Sequence, residues 1–205
     1  MEQETVIKKS IKMFNEPEKW FAFLELVKMK DRIVGAMNKH LREEMDKYFH
    51  EKTFTGFKFQ FQDSTLNNCN AFWYLEEVGH GICLFFTDSN MSLYIDENIY
   101  QNTEGINNIL QNKENAVVLH SLFRFDRCES KWWKIVEKGN WYFKKPSEYS
   151  EYNGTFDKDS LSWYSYNATE ELIQQLFNKV EKFCTNDQMK KIILEIHLIG
   201  KQSKK

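Results

Sequence analysis

The middle of the chain alternates short apolar runs with turn residues, and this pattern predicts three consecutive strands. The runs extend from Phe72 to Leu75, from Ile82 to Phe86 and from Met91 to Ile95, with glycine, aspartate, serine and asparagine residues in the gaps. Because the middle run is apolar throughout, we expect it to be buried on both faces of a sheet, whereas the third run alternates and leaves one face to water. The stretch predicts an antiparallel meander that needs helices to cover it.

A long amphipathic helix is predicted over residues 15–50. Asn15 and Glu18 have the spacing of a capping box, and Pro17 suits the first turn, where its missing N–H breaks no hydrogen bond. Large apolar residues then recur at helical spacing, and we interpret this stripe as core rather than as a ligand groove. The stripe consists of Trp20, Leu24, Val27, Val34, Met37, Leu41, Met45 and Tyr48.

Further strands are predicted on both sides of the meander. Residues 57–62 alternate phenylalanine with lysine or glutamine, which is typical of a half-buried strand. Two aromatic runs within residues 132–143, separated by Lys138 and Gly139, predict a hairpin. The polar residues 146–160 form the one long loop of the pattern, and we expect mobility there.

The remaining apolar runs are helical or undecided. Residues 116–126 are too short a run to distinguish a helix from a buried strand. The last forty residues predict two helices whose inward faces carry leucine, isoleucine, valine, phenylalanine and methionine. A short helix is predicted to begin at a cap formed by Asn102 or Thr103 and to run to about Gln111. The predicted caps of the two C-terminal helices are Asn167 with Glu170 and Thr185 with Gln188.

These elements predict an α+β fold in which a long N-terminal helix and C-terminal helices cover an antiparallel meander sheet. A chain of 205 residues suits one globular domain over 1–205, with frayed ends at 1–12 and 200–205. Hydrophobic residues at 41% and aromatic residues at 16% exceed what a disordered chain carries. Only two prolines and eight glycines leave little room for linkers.

Charge and targeting signals narrow the classes of partner. A formal net charge of −2 places any nucleic-acid binding in a local patch rather than in the chain as a whole. The N-terminus lacks the apolar core of a secretory signal, and no run of about twenty apolar residues follows, so we expect a cytoplasmic protein without a membrane partner.

The four cysteines are widely spaced, which predicts reduced thiols rather than a zinc or disulfide framework. The pattern leaves the oligomeric state open.

No catalytic or cofactor motif stands out, and we expect no cofactor and no metal. Phosphate-binding glycine loops, H-E-x-x-H and G-x-S-x-G are all missing from the sequence. His80 lies between two glycines in a predicted turn, where a solvated side chain is commoner than a general base. Glu129 and Lys131 form an E-x-K, a spacing that a chain with 30 acidic and 28 basic residues also gives by chance.

Residues 124–145, which we call the basic ribbon, mix cations with aromatic rings. Seven positive charges stand against three negative ones in this segment. Such mixing suits single-stranded nucleic acid, because rings stack on bases while lysines follow phosphates. The alternative is an ordinary hairpin with one aromatic face in the core and lysines in water. The candidate partner-binding residues are Arg124, Arg127, Lys131, Trp132, Trp133, Lys134, Lys138, Trp141, Lys144 and Lys145.

Four stretches carry a family resemblance: NEPEKWFAFLELVKMKDRI, FWYLEEVG, SLYIDENIY and LSWYSYNATEELIQQLFNKVEKFCTNDQMKKIILEI. In their order the chain resembles the region that follows the catalytic part in a group of bacterial PD-(D/E)XK nuclease-like proteins. That family's strand-borne aspartate, E-x-K and lysine have no counterpart here, so no catalytic residue is carried over. The resemblance implies a stand-alone accessory domain that binds a partner, for instance in bacterial or phage defence and counter-defence.

Our leading hypothesis is a non-catalytic module that binds a protein or nucleic acid through the basic ribbon. The first rival is a diverged metal-dependent nuclease that uses Glu129 and Lys131. The second rival is a small-molecule sensor with an aromatic pocket between sheet and helices. The aromatic residues either line such a pocket or fill the core, and the sequence pattern is compatible with both.

Overall fold

The computed structural model describes residues 11–62, 69–87, 90–124, 133–137 and 158–201. Residues 11–13 are helical, and a 35-residue helix follows after a short break; six strands and five further helices come after it in this described part of the chain. The helices are α1 Pro17–Glu51, α2 Thr103–Gln111, α3 Lys113–Leu122, α4 Lys158–Asn167, α5 Thr169–Cys184 and α6 Asp187–Gly200. The strands are β1 Phe57–Phe61, β2 Ala71–Leu75, β3 Ile82–Thr87, β4 Asn90–Ile95, β5 Phe123–Arg124 and β6 Trp133–Glu137.

The strands form one antiparallel sheet in the order β1-β2-β3-β4-β6-β5. The first four are neighbours in sequence and in space, which confirms the predicted meander. Buried residues of neighbouring strands lie opposite one another: Trp73 pairs with Leu84, and Leu84 pairs with Leu93. Residues 116–122, whose type the sequence left open, belong to α3, and the chain enters β5 directly afterwards.

One face of the sheet supplies the core, and helices cover it. Phe49 of α1 packs edge-on against Trp73, with ring centroids 4.9 Å apart, and Phe183 of α5 packs against Phe57 at 5.8 Å. All four phenylalanine and tryptophan side chains are buried. The predicted α+β architecture, a meander covered by a long N-terminal helix and C-terminal helices, is therefore confirmed.

Three of the predicted helix caps differ from the observed ones. The N-cap of α1 is Glu16, with no side-chain capping bond, while the side chain of Asn15 lies 3.5 Å from Lys19 Nζ. Asn167 is the last residue of α4, so it does not cap the helix that follows. Its side-chain amide instead donates to the carbonyl of Trp163 at 2.9 Å. Residue 185 closes α5, so the N-cap of α6 moves one residue on, to Asn186, which accepts from the Met189 amide at 3.0 Å. The cap predicted at Asn102 is confirmed.

Candidate interaction surface

The two halves of α1 have different surroundings. Leu41, Met45 and Phe49 in the second half are buried against the sheet and the C-terminal helices. Asn38 and Ser162 tie this half to α4 through a buried hydrogen bond of 3.1 Å, in which the serine hydroxyl donates. The predicted core role of the apolar stripe is right for this half.

The first half of α1 leaves the core. Trp20 is 43% exposed and Val27 is 54% exposed, so the core role predicted for this end of the stripe is wrong. Every residue from 17 to 33 except Leu24 is exposed. The reason is geometric: a helix of 35 residues is roughly 50 Å long, and the sheet with its covering helices reaches only the second half. We call the large exposed side chains of this half the N-terminal face; they are Trp20, Phe21, Phe23, Leu26, Val27, Met29 and Ile33.

A local aromatic cluster organises the start of this face. Phe14 lies before the helix and turns back onto it, with its ring centroid 4.6 Å from that of Phe23 and 5.4 Å from that of Trp20. Trp20 and Phe23 lie 5.6 Å apart. Ring contacts of this kind stabilise local structure by about 0.5–1.5 kcal/mol each. The cluster fixes the shape of the face, yet both Trp20 and Phe23 remain exposed.

Charges are divided unevenly along the first half of α1. Residues 16–25 carry three carboxylates and one lysine, a net charge of −2. Residues 28–32 carry three cations and one aspartate, a net charge of +2. Two pairs close within the helix, Lys19 with Glu16 at 2.9 Å and Lys28 with Glu25 at 2.6 Å. The N-terminal face therefore has an acidic end and a basic end.

The sequence contained a signal for this face that the stripe interpretation did not use. Between residues 20 and 29 the large apolar side chains occupy almost every angle around the helix, because Phe21, Leu26 and Met29 lie off the stripe. A helix that is apolar on several sides needs more than one apolar neighbour. Within the described part of the chain, the sheet supplies no such neighbour at this end.

Most of the predicted basic ribbon lies outside the described residues: Arg127, Lys131, Trp132, Lys138, Trp141, Lys144 and Lys145. The backbone of the other three is described. Arg124 ends β5 opposite Val136, Trp133 lies opposite the buried Ile95, and Lys134 lies opposite Tyr94. Strand β6 is thus an internal strand between β4 and β5. Glu129 and most of the predicted 146–160 loop also lie outside the described residues.

The second face of the sheet carries half-buried aromatic rings. Phe72 stacks on Phe85 at 4.8 Å, and Phe85 contacts Tyr94 edge-on at 6.0 Å. Burial, followed by the charge of Asp96, raises the pKa of Tyr94 to about 12. His80 is exposed, as predicted, and lies beside Phe72.

A cavity of about 410 Å³ opens where the end of α1 meets β1 and β2. Its lining includes Phe54, Trp73 and the cations Lys52 and Lys58, and Lys58 also pairs with Glu76 at 3.4 Å. The indole Nε1 of Trp73 has no hydrogen-bond partner among the described residues. The volume lies within the range of small-molecule sites.

A buried tyrosine joins α6 to the loop after β4. Nδ1 of His197 lies 2.9 Å from Tyr100 Oη, and Nε2 of the same ring lies 3.3 Å from Lys201 Nζ. Because the ammonium can only donate, Nε2 accepts, and in neutral His197 Nδ1–H donates to the tyrosine. Burial and then Lys201 lower the pKa of His197, while burial raises the pKa of Tyr100 to about 12.

In the described part of the chain, no group of three or more histidine, cysteine, aspartate and glutamate residues is arranged to hold a metal ion. Among the same residues, no helix has the length and apolar content needed to cross a membrane. Comparison with models of known families, with curated proteins and with solved structures finds no match for this chain.

Proposed function

We propose that this chain is a non-catalytic interaction module that binds a protein partner through the N-terminal face. The observation that carries the proposal is the exposure of seven large apolar side chains on one helix half, together with the aromatic cluster that holds part of this surface in place. Contiguous apolar surface of this kind typically marks a site of protein association. A role in bacterial or phage defence is the setting that the nuclease-associated resemblance implies.

Site-specific photo-crosslinking tests this proposal in cells that express the chain. A benzophenone side chain is placed at Phe21 or Leu26, which are 64% and 58% exposed, or at the control position Val117, which is 71% exposed on α3. We expect intermolecular adducts from positions 21 and 26 and none from 117. Equal adduct yields at all three positions, or adducts only within the chain, would refute the proposed function.

The alternative to a protein partner is nucleic acid, which the composition of the basic ribbon predicts. The test is a gel shift with single-stranded and duplex DNA and RNA at several salt concentrations. We expect no salt-sensitive shift, because residues 16–32, where we place the partner, carry four acidic and four basic side chains and no net charge. A salt-sensitive shift that is lost when Lys134, Lys138 and Lys144 are all changed to Glu would make nucleic acid the partner.

The cavity beside Trp73 favours a second candidate function, the binding of a small aromatic anion. The lining combines aromatic rings with two lysines against one carboxylate, Glu76, and this net positive aromatic lining is suited to a planar, negatively charged ligand. Anilinonaphthalene sulfonate is a suitable probe, titrated by calorimetry. The change Thr53→Trp, which fills the rim, should abolish stoichiometric binding, while Leu26→Glu should leave it unchanged; the reverse pattern would place the dye on the N-terminal face.

A further inference from the structure

We infer that the free side of strand β1 binds an extended peptide, which adds a strand to the sheet and carries an apolar residue next to an acidic one. This surface is separate from the N-terminal face, so the site goes beyond the proposed function and does not depend on it. Three properties of the described residues lead to the site: the backbone groups on the free side of β1, the cavity that opens beside them and the charge of its lining.

Strand β1 is one of the two edges of the sheet, and the two edges differ. The other edge strand, β5, has only two residues, and a very short edge offers little to pair with. Strand β1 has five residues and no proline, and it pairs with β2 along its whole length. Among the described residues no strand lies on its other side. An edge of this kind is a template for the addition of a strand.

The register shows which backbone groups face the free side of β1. Just beyond the strand, Gln62 N–H donates to the carbonyl of Asn70 at 2.9 Å. Because antiparallel neighbours exchange hydrogen bonds at every second residue, the even-numbered residues of β1 bond to β2 and the odd-numbered ones do not. The N–H and C=O groups of Phe59 and Phe61 therefore point to the free side, where an added strand can bond to them.

The cavity of about 410 Å³ at the end of α1 opens onto this free side. Residues 56–59 belong to its lining. Phe59 faces the core, and the exposed Lys58 faces the opposite side of the sheet, so a cavity lined by both extends around the free side of the strand. At the other end of the strand, Arg42 lies over the Phe61 ring at 4.0 Å and covers the core-facing side. A core-facing side chain of an added strand therefore enters the cavity near Phe59.

The two sides of the cavity select the side chains of the peptide. On the core-facing side, Phe49 and Phe54 form aromatic walls that suit an apolar or aromatic side chain. On the other side, Lys58 pairs with Glu76 at 3.4 Å, but both side chains are more than half exposed, so a peptide carboxylate can replace Glu76 at little cost. Because successive side chains of a strand point to opposite faces, the apolar and acidic residues are neighbours in the peptide sequence.

The charge of the lining favours a peptide over a second copy of β1. Lys52 and Lys58 stand against one carboxylate, Glu76, in the lining. Strand β1 itself, FKFQF, carries one lysine and no carboxylate. A second copy paired at this edge would bring a further cation to a lining that is already positive, whereas an acidic peptide complements it.

Calorimetric titration with two matched peptides tests the site. The probe is the acetylated, amidated peptide Thr-Glu-Phe-Glu-Val-Thr, and the comparison peptide has lysine in place of both glutamates. We expect saturable binding of the acidic peptide and weaker binding of the basic one. Lys58→Glu should weaken binding of the acidic peptide by about tenfold, because it removes one charge pair and adds a repulsion. Lys113→Glu, at an exposed position of α3, should leave it unchanged. The absence of binding by either peptide would overturn the inference.

Amide exchange measured by NMR tests the addition of a strand. In the free chain the amides of Phe59 and Phe61 should exchange faster than those of Lys58 and Gln60, which bond to β2. Saturation with the acidic peptide should slow exchange at Phe59 and Phe61 by at least about tenfold, because both amides then donate to the peptide. A peptide that binds without slowing exchange at Phe59 would occupy the cavity through its side chains alone, and strand addition would be refuted.

The remaining outcomes distinguish this site from the other proposals. Leu26→Glu, in the N-terminal face, should leave peptide binding unchanged, so photo-crosslinking and peptide binding succeed or fail independently. If anilinonaphthalene sulfonate binds in the cavity and neither peptide does, the small-molecule function stands and the peptide site is refuted. A chain that binds no peptide and whose average mass exceeds 24.7 kDa would assign the edge to a second copy instead.

Discussion

His197 gives the chain a defined response to acid. Its pKa is lowered in the folded state, by burial and by Lys201, so the unfolded state binds the proton more readily. The free energy of unfolding should therefore fall as pH drops below about 6.5, the ordinary histidine pKa, towards the lower folded value. Urea unfolding at pH 7 and pH 5 measures this loss. In His197→Gln the loss should be smaller, and an unchanged loss in this variant would exclude His197 as its source.

Tyr100 also fixes the space around Gly200. A Cβ atom at position 200 would lie 2.9 Å from Tyr100 Cδ1 and 3.3 Å from Ile106 Cδ1, and both neighbours are fully buried. Gly200→Ala should lower the free energy of unfolding by about 1–3 kcal/mol through overpacking, although alanine favours a helix. Thermal unfolding measures the change. Leu198→Ala, two residues away and exposed, should change stability by less than about 0.5 kcal/mol, and an equal effect of both would exclude the crowding explanation.

At the scale of the element, α1 offers a matched pair of methionines. Met45 is fully buried, whereas Met29 is 42% exposed on the same helix. Met45→Ala should lower the free energy of unfolding by about 2–5 kcal/mol, because it leaves a cavity, and Met29→Ala should change it by less than about 0.5 kcal/mol. Urea denaturation measures the free energy of unfolding of each variant. Similar effects would mean that the first half of α1 is packed as tightly as the second.

Patterns within one element were sufficient to predict strands β1 to β4 and most of the helices. The hairpin predicted within residues 132–143 was not: its first arm, β6, pairs with β4 and β5, and residues 138–143 lie outside the described part of the chain. The alternation predicted for residues 57–61 is seen in the structure. The expected burial of β3 on both faces is met only in part: Ile82, Leu84 and Phe86 are buried on one face, whereas on the other face Cys83 is buried and Phe85 is half-buried. The caps at Asn167 and Thr185 were misplaced because each prediction ignored the helix that ends at or beside that residue. Local sequence specifies a helix, but neighbouring helices decide where it begins.

The position of the candidate site on α1 depends on contacts between residues far apart in sequence, which a local sequence pattern does not report. The apolar stripe of α1 is continuous, so its periodicity cannot tell which half meets the core. That depends on where α4 and the sheet end, which is set by contacts such as Ser162 with Asn38, 124 residues apart in sequence. The basic ribbon remains a prediction, since most of it lies outside the described residues.

At the scale of the whole molecule, stability should be distributed unevenly. The strands β3 and β4 lie inside the sheet and bury Leu84 and Leu93, so their amides should open only with global unfolding. Residues 17–33 are exposed except for Leu24, and an isolated helical stretch of about 15 residues is marginal in water. Among the described residues, the local aromatic cluster is what stabilises this half of α1, and the proposed partner would add to it.

Hydrogen exchange along α1 measures this difference. In the chain without a partner, amides of residues 17–33 should exchange much faster than those of residues 38–51, because the second half buries Leu41, Met45 and Phe49 and the first half is exposed. Amides of β3 should exchange more slowly than both. Equal protection of the two halves of α1 would show that the chain stabilises the first half by itself, and the need for a partner would disappear.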